Sequence, residues 1–294
     1  MNTQQTVSRP VRHGKKRMKP KAVLWMAFKL LFLFIVSMYL IFPCLTIVSN
    51  SFKNRAELSR KVPTFIPKEP IRDSWEELFS DSDFLQGALN SIKLGLICMF
   101  IITCIAIPSA YAITRVKSKG GGALQVWILI SQMVPGIILI VPLYNILKSL
   151  GLTNTHEGLL LVYLVGGQAV AIWTMVGFIA GVPKEIEEAS FIDGCNILTM
   201  LWRILIPTIL PGIVTVMIMA FLSVWNEFYF ALCLIKEPAL RTLPIKLRTY
   251  IGISGQARVG MLSAASTMAA LPGLIIFMFF QRFYVRGMMS GSIK

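Results

Sequence analysis

The stretch EEASFIDGCNILTMLWRILIP, Glu187–Pro207, decides how this chain is read. It opens on acids, turns at Asp193-Gly194 and closes on Pro207, all in the middle of a very apolar chain. Val182-Pro183 stands ahead of it. Proline suits a helix start, and Glu185, Glu187 and Glu188 suit the positive end of a helix dipole. Ile186, Ala189 and Ser190 recur at i, i+3 and i+4 and give one small, mostly apolar face. Asp193-Gly194 supplies a helix stop. Asn196 is placed to cap a second helix, on which Ile197, Leu201 and Ile204 share a face before Pro207 ends it. The expected unit is a short helix, a turn and a second helix. Such a unit can dock in a groove on a soluble partner. The plainer alternative is an amphipathic connector among lipid headgroups.

The surroundings say where this unit sits. Of 294 residues, 55% are hydrophobic and 15% charged, against about 25% charged in soluble domains. That composition excludes an ordinary soluble domain and predicts an all-α polytopic membrane protein. At about 20 apolar residues per span, the length allows about six transmembrane helices. They are expected at about 22–48, 89–113, 124–147, 159–180, 208–235 and 263–284. The net charge of +15 lies beside apolar runs, so it reads as a topology signal and not as a nucleic-acid surface. Residues 1–21 carry seven basic residues, from Arg9 to Lys21, and no acid, which places the N-terminus in the cytoplasm. The loop TRVKSKGGG (114–122), the jointed stretch and the C-terminus then fall on the same side. The segment 50–86, with Pro63, Pro67, Pro70 and DSWEELFSDSDF, reads as an ordered external loop with a short helix. The expected divisions are a basic tail at 1–21, a first helix with its external loop at 22–85, a core at 86–285 holding the jointed stretch at 182–207, and a cytoplasmic tail at 286–294. Pro43, Pro108, Pro135, Pro142, Pro211 and Pro272 fall inside the expected spans, where they kink helices around a pathway or serve ordinary packing.

The chain carries no GxxxxGK[ST] phosphate loop, no HExxH and no GxSxG. Its five cysteines show no metal-ligand spacing, and His13 and His156 have no ligand partners nearby in sequence. No catalytic residue, metal or cofactor is therefore assigned to it. The spans hold almost no ionisable groups away from their ends, which disfavours ion-coupled transport. One run, SVWNEFYFALCLI, does interrupt a span. Its Trp225, Asn226, Glu227 and Tyr229 are candidates for a pathway or gate; the alternative is an interhelical hydrogen bond at the membrane interface.

The opening stretch resembles the EAA loop in permease subunits of bacterial ATP-binding-cassette importers. That motif runs Glu-Ala-Ala, three residues, Gly, nine residues, Ile-x-Leu-Pro. Here Glu188-Ala189-Ser190, Gly194 and Ile204-Leu205-Ile206-Pro207 keep the spacing and depart only at Ser190 and Ile206. NSIKLG (90–95), VWNEFYFALCLI (224–235), TLPIKLRTYIG (242–252) and QRFYVRGMMSGSIK (281–294) are similar to the carbohydrate-importing branch, the maltose MalG-type permeases. The resemblance implies the six-helix MalG-type permease fold with a cytoplasmic EAA coupling helix. It implies a docking set of Glu185, Glu187, Glu188, Ala189, Ser190, Asp193 and Gly194 for an ATPase, and a tail contact through Gly291, Ser292, Ile293 and Lys294. Implied partners are a companion permease, two copies of a cytoplasmic ATPase that holds the ATP and Mg, an extracytoplasmic solute-binding protein, a sugar and the lipid bilayer, with no nucleic acid. ATP-driven closure would push on the short helix, and Gly194 and the second helix would carry the push inward.

Overall fold

The computed structural model describes residues 20–116, 121–252 and 258–290. The chain divides into two compact units, Met1–Thr46 and Ile47–Lys294. Helix α1, Pro20–Asn50, carries an apolar stretch from Leu24 of mean hydropathy 2.5. Its 27 residues span about 40 Å at 1.5 Å per residue, enough to cross a hydrocarbon core about 30 Å thick. Of the basic tail expected at 1–21, residues 1–19 lie outside the described residues. The loop grouped with the first helix from sequence belongs to the second unit.

The second unit begins with that loop. It holds two short helices, α2 (Arg55–Leu58) and α3 (Asp73–Ser80), where one was expected. Asn54 caps α2 by accepting from the Glu57 amide at 2.7 Å. Glu57 is itself buried. Its carboxylate accepts from the Thr64 hydroxyl and from the Lys68 amide at 3.2 and 3.3 Å. The Thr64 bond, aided by the Lys68 amide and the charges of Lys53 and Arg60, outweighs burial and holds the Glu57 carboxyl below the usual carboxylate range.

Helix α4, Ser82–Arg115, is the second expected span, capped by Asp81, whose Oδ1 accepts from the Asp83 and Phe84 amides at 3.0 and 3.2 Å. The third is broken. Helix α5 (Gly121–Ser131) and α6 (Ile140–Ser149), entered through a 3-10 turn at Gly136–Leu139, meet at an 83° bend. Helix α7, His156–Ala180, is unbroken and starts on a Thr155 cap. After α8 (Lys184–Ile192) come α9 (Ile197–Met200), a π turn (Leu201–Leu205) and α10 (Ile206–Thr208). A 77° bend leads into α11 (Leu210–Trp225), followed by α12 (Tyr229–Leu234), α13 (Leu243–Thr249) and α14 (Val259–Ser290). Among the described residues four helices are long and apolar enough to cross a membrane, and six if each bent pair is one span.

Proline explains where the helices yield. Pro43, Pro108 and Pro272 are carried inside α1, α4 and α14. Pro135 stands at the break of the third span, and Pro211 lies in the first turn of α11. Pro207 does not end the second helix as expected. The helix widens ahead of it, the Ile206 amide reaching back five residues to the Leu201 carbonyl, and the chain bends at Ile209. A proline has no amide to offer the carbonyl four residues back, so a π turn before Pro207 and a restart at Pro211 replace a regular helix.

Helices α4, α7 and α11 share the main core, built around Leu94, Ile102, Met175, Ile179, Val216 and Ala220. They approach closely at Gly212, where an added Cβ would lie 2.4 Å from the Phe178 ring. Gly212→Val is expected to cost about 1–3 kcal/mol through overpacking, measured as a lower thermal unfolding midpoint in detergent. The Glu57 carboxyl titrates lower in the folded chain than in the unfolded one. Its contribution is therefore present above the unfolded value and is lost as pH falls through the folded value. Proteolysis of the loop should accelerate in that acid window, and Glu57→Gln should remove that pH dependence.

Candidate functional site

Helix α8 is the first half of the jointed stretch. Pro183 enters it with ψ 135° as the residue just before the helix. At the other end the Gly194 amide donates to the Phe191 carbonyl at 3.1 Å, and the Cys195 amide to the Ser190 carbonyl at 3.0 Å. This pair of bonds is a Schellman stop, and Gly194 adopts the φ of +84° that it requires. Asn196 Oδ1 then accepts from the Thr199 amide at 2.8 Å and starts α9. The stop and the second cap fall where the residues predict them.

The two faces of α8 differ. Glu185, Ile186, Glu188, Ala189, Phe191 and Asp193 are exposed, as is Ile192 at 86%. Glu187 and Ser190, three residues apart on the opposite side, are buried at 5% and 3%. The Glu187 carboxylate pairs with Arg115 at the end of α4, Nε to Oε1 2.7 Å, and accepts from the Tyr111 hydroxyl at 3.3 Å. Arg115 Nη2 also donates to the Ile179 and Val182 carbonyls at 3.0 and 2.7 Å. Those carbonyls lie at the C-terminal end of α7, where a helix leaves acceptors unmet and favours a cation. Ser190 donates to the Glu187 carbonyl at 2.6 Å. Removing one partner from a buried pair of this kind costs about 3–5 kcal/mol, because the other charge is stranded. Two members of the expected docking set are therefore corrected: Glu187 and Ser190 spend their polar groups inside the chain, and the open face is built from Glu185, Ile186, Glu188, Ala189, Phe191 and Ile192.

The interrupted fifth span divides in the same way. Trp225 is buried, stacks on Phe221 at 5.9 Å and donates to the Ala269 carbonyl at 3.0 Å. Glu227 accepts from the Phe230 and Ala231 amides at 2.8 and 3.1 Å and from the Tyr163 hydroxyl of α7 at 2.7 Å. It supplies the acceptors for the start of α12 and ties the break to α7. Asn226 and Tyr229 are exposed, Asn226 with its amide on the Leu222 carbonyl. Of the four gate candidates, Trp225 and Glu227 hold the break together, while Asn226 and Tyr229 stay open.

Two of the quoted segments also meet. Asn90 of NSIKLG donates to the Ala239 and Arg241 carbonyls at 2.9 Å, and Ser91 accepts from the Leu243 amide at 2.9 Å. Lys246 of TLPIKLRTYIG pairs with Asp83. The link after α12 is gripped from its other side by Asn154, whose Oδ1 accepts from the Lys236 and Glu237 amides at 2.8 and 2.9 Å, and by a His156 bond to the Leu240 carbonyl at 3.0 Å.

Residues 102–290 match the model of a family described as binding-protein-dependent transport system inner membrane component. The chain belongs to this family. It is 32% identical over 254 residues to the sulfoquinovosyl glycerol transport system permease protein SmoH of Agrobacterium fabrum, covering 86% of this chain and 89% of that one. It is 31% identical over 257 residues to the trehalose transport system permease protein SugB of Mycobacterium tuberculosis, covering 87% and 93%. Its fold is that of a chain in the crystal structure of a bacterial ABC transporter involved in alginate import. The TM-score is 0.77 at 20% identity, over 92% of this chain and all of that one.

Sequence reasoning missed three residues of this permease. Arg115 was counted only as a charge flanking a span, and Tyr111 and Tyr163 read as ordinary span residues. No local pattern pairs positions 72 or 64 residues apart, so their partners emerge only on folding. The tail residues Gly291, Ser292, Ile293 and Lys294 lie outside the described residues. At the joint, Gly194→Ala should destabilise the permease by about 1 kcal/mol, because alanine resists a positive φ, and Gly194→Asn by less. Thermal unfolding of the purified protein in detergent checks both.

Proposed function

We propose that this permease is one membrane subunit of an ATP-driven, binding-protein-dependent importer for a sugar or oligosaccharide. The observation that carries the reading is the open face of α8, with Glu188 and Ala189 at the spacing of the EAA loop and Gly194 as its stop. The chain has no phosphate loop, so its energy comes from elsewhere, and an exposed helix with acidic and apolar side chains is suited to a groove on an ATPase. In this reading two copies of that ATPase hold the ATP and Mg, and a companion permease completes the pathway. A solute-binding protein delivers sugar from outside, while both termini and α8 lie in the cytoplasm. Asn226 and Tyr229 face the pathway, and residues 291–294 touch the ATPase. The sugar class is supported by the substrates in the names of SmoH and SugB.

The test is reconstitution with the ATPase, companion permease and binding protein that co-purify with it, using radiolabelled trehalose, maltose and sulfoquinovosyl glycerol as probes. Uptake of at least one should require Mg–ATP and the binding protein. Glu188→Lys should lower that uptake at least about tenfold, equivalent to about 1.4 kcal/mol of lost coupling, while membrane insertion is unchanged. Gradient-driven uptake without ATP would instead mark a secondary transporter, and ATPase binding without uptake a scaffold; either result overturns the proposal.

A further inference from the structure

The expected route for the push runs from α8 through Gly194 into α9. The packing argues for a second, stiffer one. Nothing lies within 4 Å of where a Gly194 side chain would start, and the neighbouring Asp193, Asn196, Ile197 and Leu198 are all exposed. The turn at Gly194 itself is held by two backbone bonds, while the half-buried Cys195 after it packs on the core and Asn196 caps α9. By contrast, the first turn of α8 is fixed laterally: Arg115 binds Glu187, the Ile179 carbonyl of α7 and the Val182 carbonyl just past it at once, and Tyr111 closes on the same carboxylate. One guanidinium thus joins α4, the end of α7 and α8. One residue before Ile179, the Phe178 ring seats against Gly212 of α11, which extends the fixed block to a fourth helix.

We propose that Arg115 and Glu187 form a latch through which α8 moves as one rigid body with α4 and α7, and that Gly194 is the compliant hinge on the far side of this block. Arg115 is a positioning residue: it touches no transported molecule and acts by fixing the coupling helix. The inference rests on the reading of α8 as the ATPase-facing helix. Burial and three directed hydrogen bonds from a planar guanidinium make this contact more rigid than a surface ion pair.

The experiment uses the full reconstituted complex with spin labels at Ile192 on α8 and Ile105 on α4, both exposed. In the wild type, Mg–AMP-PNP should leave the distance distribution between the two labels unchanged. In Arg115→Ala and in Glu187→Gln, which is nearly isosteric, Mg–AMP-PNP should shift or broaden it, while the ATPase still co-purifies at wild-type stoichiometry. Arg115→Lys should restore the wild-type behaviour only in part, since a lysine cannot reach all three acceptors in a fixed fork. The exchange Arg115→Glu with Glu187→Arg should recover more than either of its single changes. A nucleotide-dependent shift in the wild type, or no change in the variants, overturns the latch. Loss of the ATPase from Glu187→Gln also overturns it, because Glu187 would then be a docking residue. If the wild type retains no ATPase at all, the functional reading falls and the latch with it; if it couples normally while the distances ignore the latch, only the latch falls.

Discussion

In an apolar span a backbone amide or carbonyl has no water to bind, so a break in a helix survives only where the same protein supplies a partner. The second unit of this chain is organised around that constraint. Where α7 ends, Arg115 adds a donor to the Ile179 carbonyl of its last turn and to the Val182 carbonyl just past it. The start of α12 would leave bare amides, and Glu227 meets two of those. Each of these side chains has a second partner as well: Arg115 pairs with Glu187, and Glu227 accepts from the Tyr163 hydroxyl. Arg115 and Glu227 are thus placed where helices stop or restart.

The same economy separates two kinds of residue that look alike in sequence. Glu185, Glu187 and Glu188 lie close together at the start of α8, but a helix turns about 100° per residue, so Glu187 falls on the buried side while Glu185 and Glu188 stay exposed. One face of α8 is therefore a fixture and the other is free. The coupling role proposed for α8 would need both: an open surface on which a partner can act, and a firm attachment that keeps the action from being absorbed by bending. The Gly194 joint, with its positive φ and open surroundings, lets the second helix leave at its own angle without straining that attachment.

The loop ahead of α4 and the link after α12 show a parallel design at the other end of α4. Asp81, Asn90 and Ser91 present polar groups along the first turns of α4, and the segment 239–250 settles on them through its own backbone, Lys246 and Tyr250. Burial and the bond to Asp81 push the Tyr250 hydroxyl above the ordinary tyrosine range, so it remains a donor at any physiological pH. Segments far apart in the chain that resemble one family thus prove to be two sides of one interface.

The sequence by itself determined the membrane character, the number of apolar segments, the short helix, its Asp193-Gly194 stop and the Asn196 cap. All of these are local: they follow from composition, from proline and glycine, and from side chains that bond within a few residues of themselves. Only the tertiary structure decided that the third and fifth spans bend, that Pro207 widens a helix instead of ending it, and that Glu187, Ser190, Trp225 and Glu227 face inward while Glu188, Asn226 and Tyr229 do not. The reason is physical. A turn can satisfy its own backbone, but a buried charge needs an opposite charge or a dipole from another helix, and which helix supplies it is settled only when α4, α7 and α11 pack together.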